Sequence, residues 1–138
     1  MTIMIVSLYD YYNSLRRYIM ELKLFDSELK VMEHLWQEGD LTAGQLAKAL
    51  HAQTGWNRNT TYTVIKKLIE KGAVARSEPN FTCHACISKE EVQQQETTAL
   101  IDKLFNGSAE LFLSAYLSGK KLSNAEIDRL KQLVETLE

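Results

Sequence analysis

Residues 57–86, NRNTTYTVIKKLIEKGAVARSEPNFTCHAC, decide the fold of this chain. The stretch starts at Asn57, a good N-cap residue, continues with apolar residues at helical spacing and reaches a helix-ending glycine at Gly72. Two short runs of strand-forming residues follow, at 73–76 and 81–86, with a Pro-Asn turn between them. The pattern predicts a helix followed directly by a β-hairpin.

Two more helices are predicted before this stretch. Asp26 is a candidate N-cap ahead of an apolar stripe that ends at Gly39. Thr42 and Gln45 have the spacing of a capping box, and the short helix that they open ends at Gly55. Three short helices followed by a hairpin is the element order of a winged helix-turn-helix domain, so we predict that fold.

The spacing of apolar residues in 88–138 predicts helices whose apolar surface is larger than about fifty residues can bury. Residues 111–117 are apolar nearly all round, and Ser123 opens a second capping box before another apolar stripe. We expect a second copy of the chain to cover this surface in a two-fold dimer. The alternative is that these helices fold back on the core of their own chain. The predicted dimerisation residues are Leu104, Leu111, Phe112, Ala115, Tyr116, Ile127, Leu130, Leu133 and Val134.

The sequence therefore predicts a mainly α-helical protein with a small β-hairpin, organised in three parts. These are an N-terminal extension of uncertain status at 1–23, a winged helix DNA-binding domain at 24–87 and a helical dimerisation region at 88–138. Met20 is a candidate for the true start, because the residues before it lack a clear helix cap. With no apolar run of about 20 residues and no signal-peptide charge order, we expect a cytoplasmic protein without membrane insertion.

Charge is unevenly distributed along the 138 residues. The whole chain has a formal net charge of −2, whereas residues 43–76 hold six basic residues and one acidic residue, a local net charge of +5. Because a phosphate backbone responds to the local field, the basic segment favours double-stranded DNA as a partner more than the total suggests. A solvated helix face is the alternative explanation.

The third predicted helix has an outward polar face that suits the major groove of DNA. Asn59 is placed to form a bidentate pair with adenine, and Thr63 to contact a thymine methyl group or a phosphate. Thr42 and the free backbone amides at the start of the second helix are expected to bind a phosphate. The alternative is that Thr60 only completes a helix cap and that Lys67 is a solvated charge. The predicted DNA-binding residues are Thr42, Arg58, Asn59, Thr60, Tyr62, Thr63, Lys66, Lys67 and Arg76.

Enzyme motifs are absent from the sequence, which has no glycine-rich phosphate loop, no His-Glu-x-x-His and no nucleophile elbow. We predict no enzymatic activity and no cofactor. Cys83, His84 and Cys86 carry metal-binding groups. Positions 83 and 86 of a strand nevertheless face opposite sides, so we predict ordinary hairpin residues and no metal site.

Several motifs resemble the penicillinase-repressor family (BlaI/MecI/CopY). Residues 25–36, FDSELKVMEHLW, resemble the family's opening. Residues 56–63, WNRNTTYT, with the Lys67-Leu68 and Lys71-Gly72 pairs that follow, resemble the family pattern W-[SN]-x-x-T-[VIT]-x-T-x-x-x-[RK]-L-x-x-K-G. Two segments near the end, LFNGS at 104–108 and LSNAEI at 122–127, are similar to its dimerisation region. The resemblance covers roughly residues 24–138.

This resemblance implies a cytosolic homodimeric repressor that binds a palindromic operator. Penicillinase-type members are cleaved at an Asn-Phe bond after a membrane sensor detects β-lactam, but Ala115-Tyr116 occupies that position here. Copper-responsive members carry C-terminal Cys-x-Cys motifs, and this chain has no cysteine after Cys86. An upstream membrane sensor or protease is thus a candidate partner, and the inducing signal stays open. The alternative function is a protein-interaction module without sequence-specific DNA binding.

Overall fold

Residues 23–137 are described by the computed structural model, which confirms a mainly α-helical fold with a small sheet. The elements in chain order are α1 (Asp26–Glu38), β1 (Leu41–Thr42), α2 (Ala43–Thr54), α3 (Arg58–Lys71), β2 (Val74–Ser77), β3 (Thr82–Ala85), α4 (Lys89–Phe105), α5 (Ala109–Ser118) and α6 (Asn124–Glu135). The predicted extension at 1–23, apart from Lys23, and the candidate start at Met20 lie outside the described residues.

Side-chain caps fix where α2 and α3 begin. The Thr42 hydroxyl accepts from the Gln45 amide at 3.1 Å, and the Thr42 amide donates to Gln45 Oε1 at 2.9 Å. Asn57 Oδ1 accepts from the Thr60 amide at 2.8 Å. Gly72 ends α3 with a φ of 80°, a left-handed conformation that glycine adopts without a steric penalty. These predicted helix ends are confirmed.

The predicted N-cap of α1 is wrong by one residue. Phe25, not Asp26, is the capping position, and its amide donates to Glu28 Oε1 at 2.8 Å. The Glu28 carboxylate thus reaches back over the first turn and accepts from the amide of the capping residue, as the N3 side chain does in a capping box. Asp26 becomes the first helical residue, where the helix dipole favours an acid.

The sheet has three strands in the order β1-β3-β2, with both pairs antiparallel. The predicted hairpin is β2–β3, and each strand differs from the expected boundaries by about one residue. Strand β1 was not predicted, because two residues are too short to show strand alternation. It pairs Leu41 with Cys83 and Thr42 with Thr82, so the sheet joins the start of α2 to the hairpin.

A single apolar core lies between α1, α2, α3 and the sheet. The inward face of α3 is the predicted one: Thr61, Val64, Ile65 and Leu68 are all buried. Because the buried positions of α3 follow helical spacing, the opposite side of the same helix must face outward. Trp36 extends the core, with its indole Nε1 donating to the Ile87 carbonyl at 2.9 Å.

The chain divides into two compact units between Thr97 and Thr98. The first contains the core just described. In the described part of the second unit no residue is fully buried, and Phe112 packs between the rings of Phe105 and Tyr116, with centroid distances of 5.5 and 5.9 Å. The domain boundaries at 24–87 and 88–138 stay predictions. Among the helices between residues 23 and 137, none combines the length and apolar character needed to cross a bilayer.

Candidate nucleic-acid interface

The outward face of α3 presents polar side chains to solvent. Asn59, Thr63 and Lys66 are exposed, on the side opposite the buried residues. Within residues 23–137 the side-chain amide of Asn59 has no hydrogen-bond partner, so both its oxygen and its nitrogen are available to a ligand. An uncommitted amide in the first turn of such a helix has the donor and acceptor that adenine requires.

Two threonines near the start of α3 are already engaged with the helix backbone or cap. The Thr60 amide and hydroxyl both donate to Asn57 Oδ1, at 2.8 and 3.0 Å, so Thr60 completes the cap. Thr63 Oγ1 donates to the Asn59 carbonyl at 2.9 Å. The hydroxyl proton of Thr63 is therefore used within the helix, which leaves its oxygen as an acceptor and its methyl group as an apolar contact for a base. As DNA contacts, both residues stay predictions.

The cations of α3 fall into two groups. Lys66 and Lys67 are exposed and form no ion pair within the described part of the chain. Lys71 is different, because its Nζ lies 2.6 Å from Glu28 Oε1 and donates to the Lys23 carbonyl at 2.8 Å. Its charge offsets a buried carboxylate, so the field available to an outside phosphate is weaker than the local charge of +5 suggests.

Tyr62 is half-buried and packs against the core, so it is less outward than its position on the helix suggests. Its hydroxyl oxygen accepts from Arg58 Nη2 at 2.8 Å, and the Arg58 guanidinium carbon lies 4.9 Å from the centre of its ring. The Tyr62 ring also packs edge to face against the ring of Phe81, with 5.7 Å between the ring centres. Tyr62 thus links the first turn of α3 to the start of β3.

Arg76 in β2 is paired with an acid of the hairpin turn. Its Nε and Nη2 lie 2.8 and 2.7 Å from Glu78 Oε1, and its guanidinium carbon lies 3.7 Å from the centre of the Phe81 ring. Hydrogen bonds from Arg76 and then from the Phe81 amide lower the pKa of Glu78. The carboxylate is therefore ionised at neutral pH and offsets the Arg76 charge in the unbound chain.

The predicted phosphate site at the start of α2 is partly occupied. The Ala43 amide donates to the Phe81 carbonyl at 2.9 Å, and the Gln45 amide donates to Thr42 Oγ1. The expectation that these amides are free is wrong for these two, because β1 brings Phe81 against the helix start and Thr42 caps its own helix. A phosphate contact by Thr42 itself stays a prediction.

His84 of β3 contacts a residue of β2 and the residue before β1 through its two ring nitrogens. Nδ1 lies 2.6 Å from Asp40 Oδ2, and Nε2 lies 2.6 Å from Ser77 Oγ. Sequence reasoning missed this group, because Ser77 is diagonal to His84 across the hairpin and Asp40 precedes the unpredicted β1. The same order of contacts activates serine in hydrolases. Here, however, the His84 and Asp40 side chains are 36% and 58% exposed to water. We therefore interpret the contacts as a structural link between the strands and not as a catalytic group.

The two cysteines differ in environment, although only Cys83 lies in a strand. Cys83 is buried in the core, and burial raises the pKa of its thiol to about 11. Cys86 lies just beyond β3 and is exposed. Among the residues described, no three histidine, cysteine or acidic side chains come together as a metal-binding group.

We expect the thiols to react at very different rates. At about pH 8 the buried Cys83 stays protonated, and only a thiolate attacks an alkylating or disulfide reagent. Fast labelling should therefore stop at one thiol per chain, with the second labelled only after unfolding. Cys86→Ala should remove the fast phase, and equal labelling rates of both thiols would contradict the burial of Cys83.

The second unit exposes a large apolar surface. Eight of the nine predicted dimerisation residues are exposed, and the ninth, Phe112, is half-buried between two rings. On α6 the side chains of Leu133 and Val134 are 60% and 61% exposed. An open groove with a volume of about 460 Å³ is lined mainly by Leu117, Leu122, Ile127, Leu130 and Val134. Monomeric soluble proteins rarely leave such a surface uncovered.

Known proteins are similar to this chain over most of its length. Residues 24–136 match the family described as penicillinase repressor. The chain is 24% identical to the penicillinase repressor of Bacillus licheniformis, over 82% of this chain and 90% of that protein. It is 21% identical to the methicillin resistance regulatory protein MecI of Staphylococcus aureus (strain N315), over 81% of this chain and 93% of that protein. The solution structure of the DNA binding domain of the repressor BlaI is similar with a TM-score of 0.48 and 24% identity, over 52% of this chain and 90% of that one.

Proposed function

This chain belongs to the penicillinase repressor family, and we propose that it is a sequence-specific transcriptional repressor that binds a palindromic DNA operator as a homodimer. The observation that carries the proposal is the outward face of α3. There an uncommitted Asn59 amide lies beside cations, Lys66 and Lys67, that form no ion pair within residues 23–137. The names of the relatives, a penicillinase repressor and a methicillin resistance regulatory protein, support the same function.

The proposed contacts divide into base reading and backbone binding. Asn59 reads a base edge, and the Thr63 methyl group packs on a neighbouring base. Lys66 and Lys67 bind phosphates, which orients the protein without selecting a sequence. Arg58 and Arg76 extend the phosphate contacts towards the hairpin. Three further DNA-binding residues lie at the edge of the same proposed surface: Thr42, Thr60 and Tyr62.

The apolar surface of the second unit supports a two-fold dimer. Two copies that share this surface would present two α3 helices to half-sites one helical turn, or a multiple of it, apart. In this proposal the protein works in the cytoplasm and has no catalytic activity. A membrane sensor or a protease is the proposed upstream partner.

Selection of bound duplexes from a random pool, followed by affinity measurement at several salt concentrations, tests the proposal. We expect the selected sites to contain inverted half-sites. For each phosphate that the protein neutralises, the logarithm of the binding constant should fall by about 0.9 per tenfold rise in salt concentration. A protein-interaction module, the alternative function, would show neither. Binding that is absent or insensitive to salt would contradict the proposal.

Asn59→Ala is expected to weaken binding to the selected operator by about 1–3 kcal/mol. The loss should be concentrated at one base pair of each half-site, because the bidentate pair reads a single base. Competition between the operator and single-base variants measures it, with Gln94→Ala, an exposed amide of α4, as the matched control. An equal loss on every sequence would make Asn59 a phosphate contact instead.

A further inference from the structure

Four side chains form a continuous stack from α3 to the hairpin, which we call the arginine–aromatic stack: Arg58, Tyr62, Phe81 and Arg76. The Arg58 guanidinium carbon lies 4.9 Å from the Tyr62 ring centre, the two rings meet at 5.7 Å, and the Arg76 guanidinium carbon lies 3.7 Å from the Phe81 ring centre. A cation thus stands at each end of an aromatic pair. The Tyr62 hydroxyl, which accepts from Arg58, adds a hydrogen bond to one end.

Phe81 is held in place independently of its ring. Its φ of 52° is left-handed, which is unusual for a residue other than glycine and persists only when the surroundings hold it. Its carbonyl accepts from the Ala43 amide at 2.9 Å, and its own amide donates to Glu78 Oε2 at 3.4 Å. The start of α2 and the hairpin turn therefore fix the backbone that carries the ring.

Stacking restricts side chains that are otherwise highly mobile. Each arginine has many rotamers, and a guanidinium already fixed against a ring loses less conformational entropy when it binds a phosphate. Only Nε and Nη2 of Arg76 lie close to Glu78 Oε1, so other N–H groups of the guanidinium are left for a phosphate. The pair of arginines is thus preorganised but not consumed by its internal contacts.

We propose that Phe81 and Tyr62 are positioning residues that hold Arg58 and Arg76 as a fixed pair of phosphate contacts, one beside α3 and one beside the hairpin. The inference rests on the proposed DNA-binding function and deepens it. It assigns the Tyr62 ring to holding the arginines, and it gives Phe81 a role in DNA binding without any contact of its own with a base.

A double-mutant cycle on the full chain tests this inference. Phe81→Leu is measured in the wild-type background and in Arg58→Gln/Arg76→Gln, by the anisotropy of a labelled random-sequence duplex at low salt. We expect Phe81→Leu to lower affinity about three- to tenfold in the wild-type background and less than about 1.5-fold in the arginine-free background. Phe81→Tyr, which keeps the ring, should restore the affinity.

The controls separate positioning from folding. In Lys121→Gln, which removes an exposed cation of the second unit, Phe81→Leu should cost as much affinity as in the wild-type chain. If Phe81→Leu unfolds the hairpin, Tyr62→Phe replaces it, since that variant removes only the hydroxyl that accepts from Arg58. Its expected loss is about twofold, and it should vanish in Arg58→Gln.

Two results would overturn the inference, and they differ in meaning. Equal losses in both backgrounds, from a wild-type chain that binds duplex DNA, would make Phe81 a purely structural residue and leave the proposed function intact. A wild-type chain without salt-dependent duplex binding would overturn the proposed function and this inference with it.

Discussion

A chain carrying Leu133→Glu is expected to sediment as a monomer and to bind paired half-sites roughly a hundredfold less tightly than the wild-type chain. Leu133 is 60% exposed on the apolar side of α6, next to the equally exposed Val134. Burying a carboxylate there without a counter-ion would cost more than the contact contributes. Each α3 would then bind its half-site alone, without the high effective concentration that the second copy provides.

The matched control is Gln132→Glu, which adds the same charge on the polar side of the same helix. It should leave both the dimer and operator affinity unchanged, and Leu133→Glu should retain wild-type affinity for an isolated half-site. Sedimentation and anisotropy on the two kinds of duplex measure these effects. A Leu133→Glu chain that remains dimeric at micromolar concentration would show that the dimer surface lies elsewhere on the chain.

The helices of the first unit were predictable because the signals that bound them are local. Thr42 bonds Gln45, and Asn57 bonds Thr60, within three residues of sequence. Strand β1 was not predictable in the same way, because Thr42 pairs with Thr82 about forty residues later. A two-residue strand shows its pairing only once the hairpin exists, and that pairing also removes the Ala43 amide from the predicted phosphate site.

Helical periodicity predicted which side chains of α3 face outward, but not what the long ones touch. Asn59 and Lys66 are exposed, as their angular position requires. Arg58 contacts a residue one helical turn away, and Arg76 contacts a residue two positions along the hairpin. Lys71 reaches a residue 43 positions earlier in the chain. A flexible cation can reach many acceptors, so counting charges in the segment did not reveal that Lys71 is already paired with the buried Glu28 carboxylate.

Glu28 illustrates the same point. Its side chain is 1% exposed, and Oε1 accepts from both the Lys71 ammonium and the Phe25 amide. Within the described residues Oε2 has no hydrogen-bond partner. The buried carboxylate therefore depends strongly on a single cation from α3, one turn beyond the residues proposed to contact DNA.

Lys71→Met should accordingly lower the free energy of unfolding by about 3 kcal/mol, the low end for a broken buried pair because the Lys71 side chain is 29% exposed. Urea unfolding measures the loss, and Glu28→Gln/Lys71→Met should recover most of it, since no charge is then buried alone. Lys67→Met, on the exposed side of α3, should change stability by less than about 0.5 kcal/mol yet weaken DNA binding. Equal stability of Lys71→Met and Lys67→Met would mean that water, rather than Lys71, compensates Glu28, and Lys71 would then belong with the cations available to phosphate.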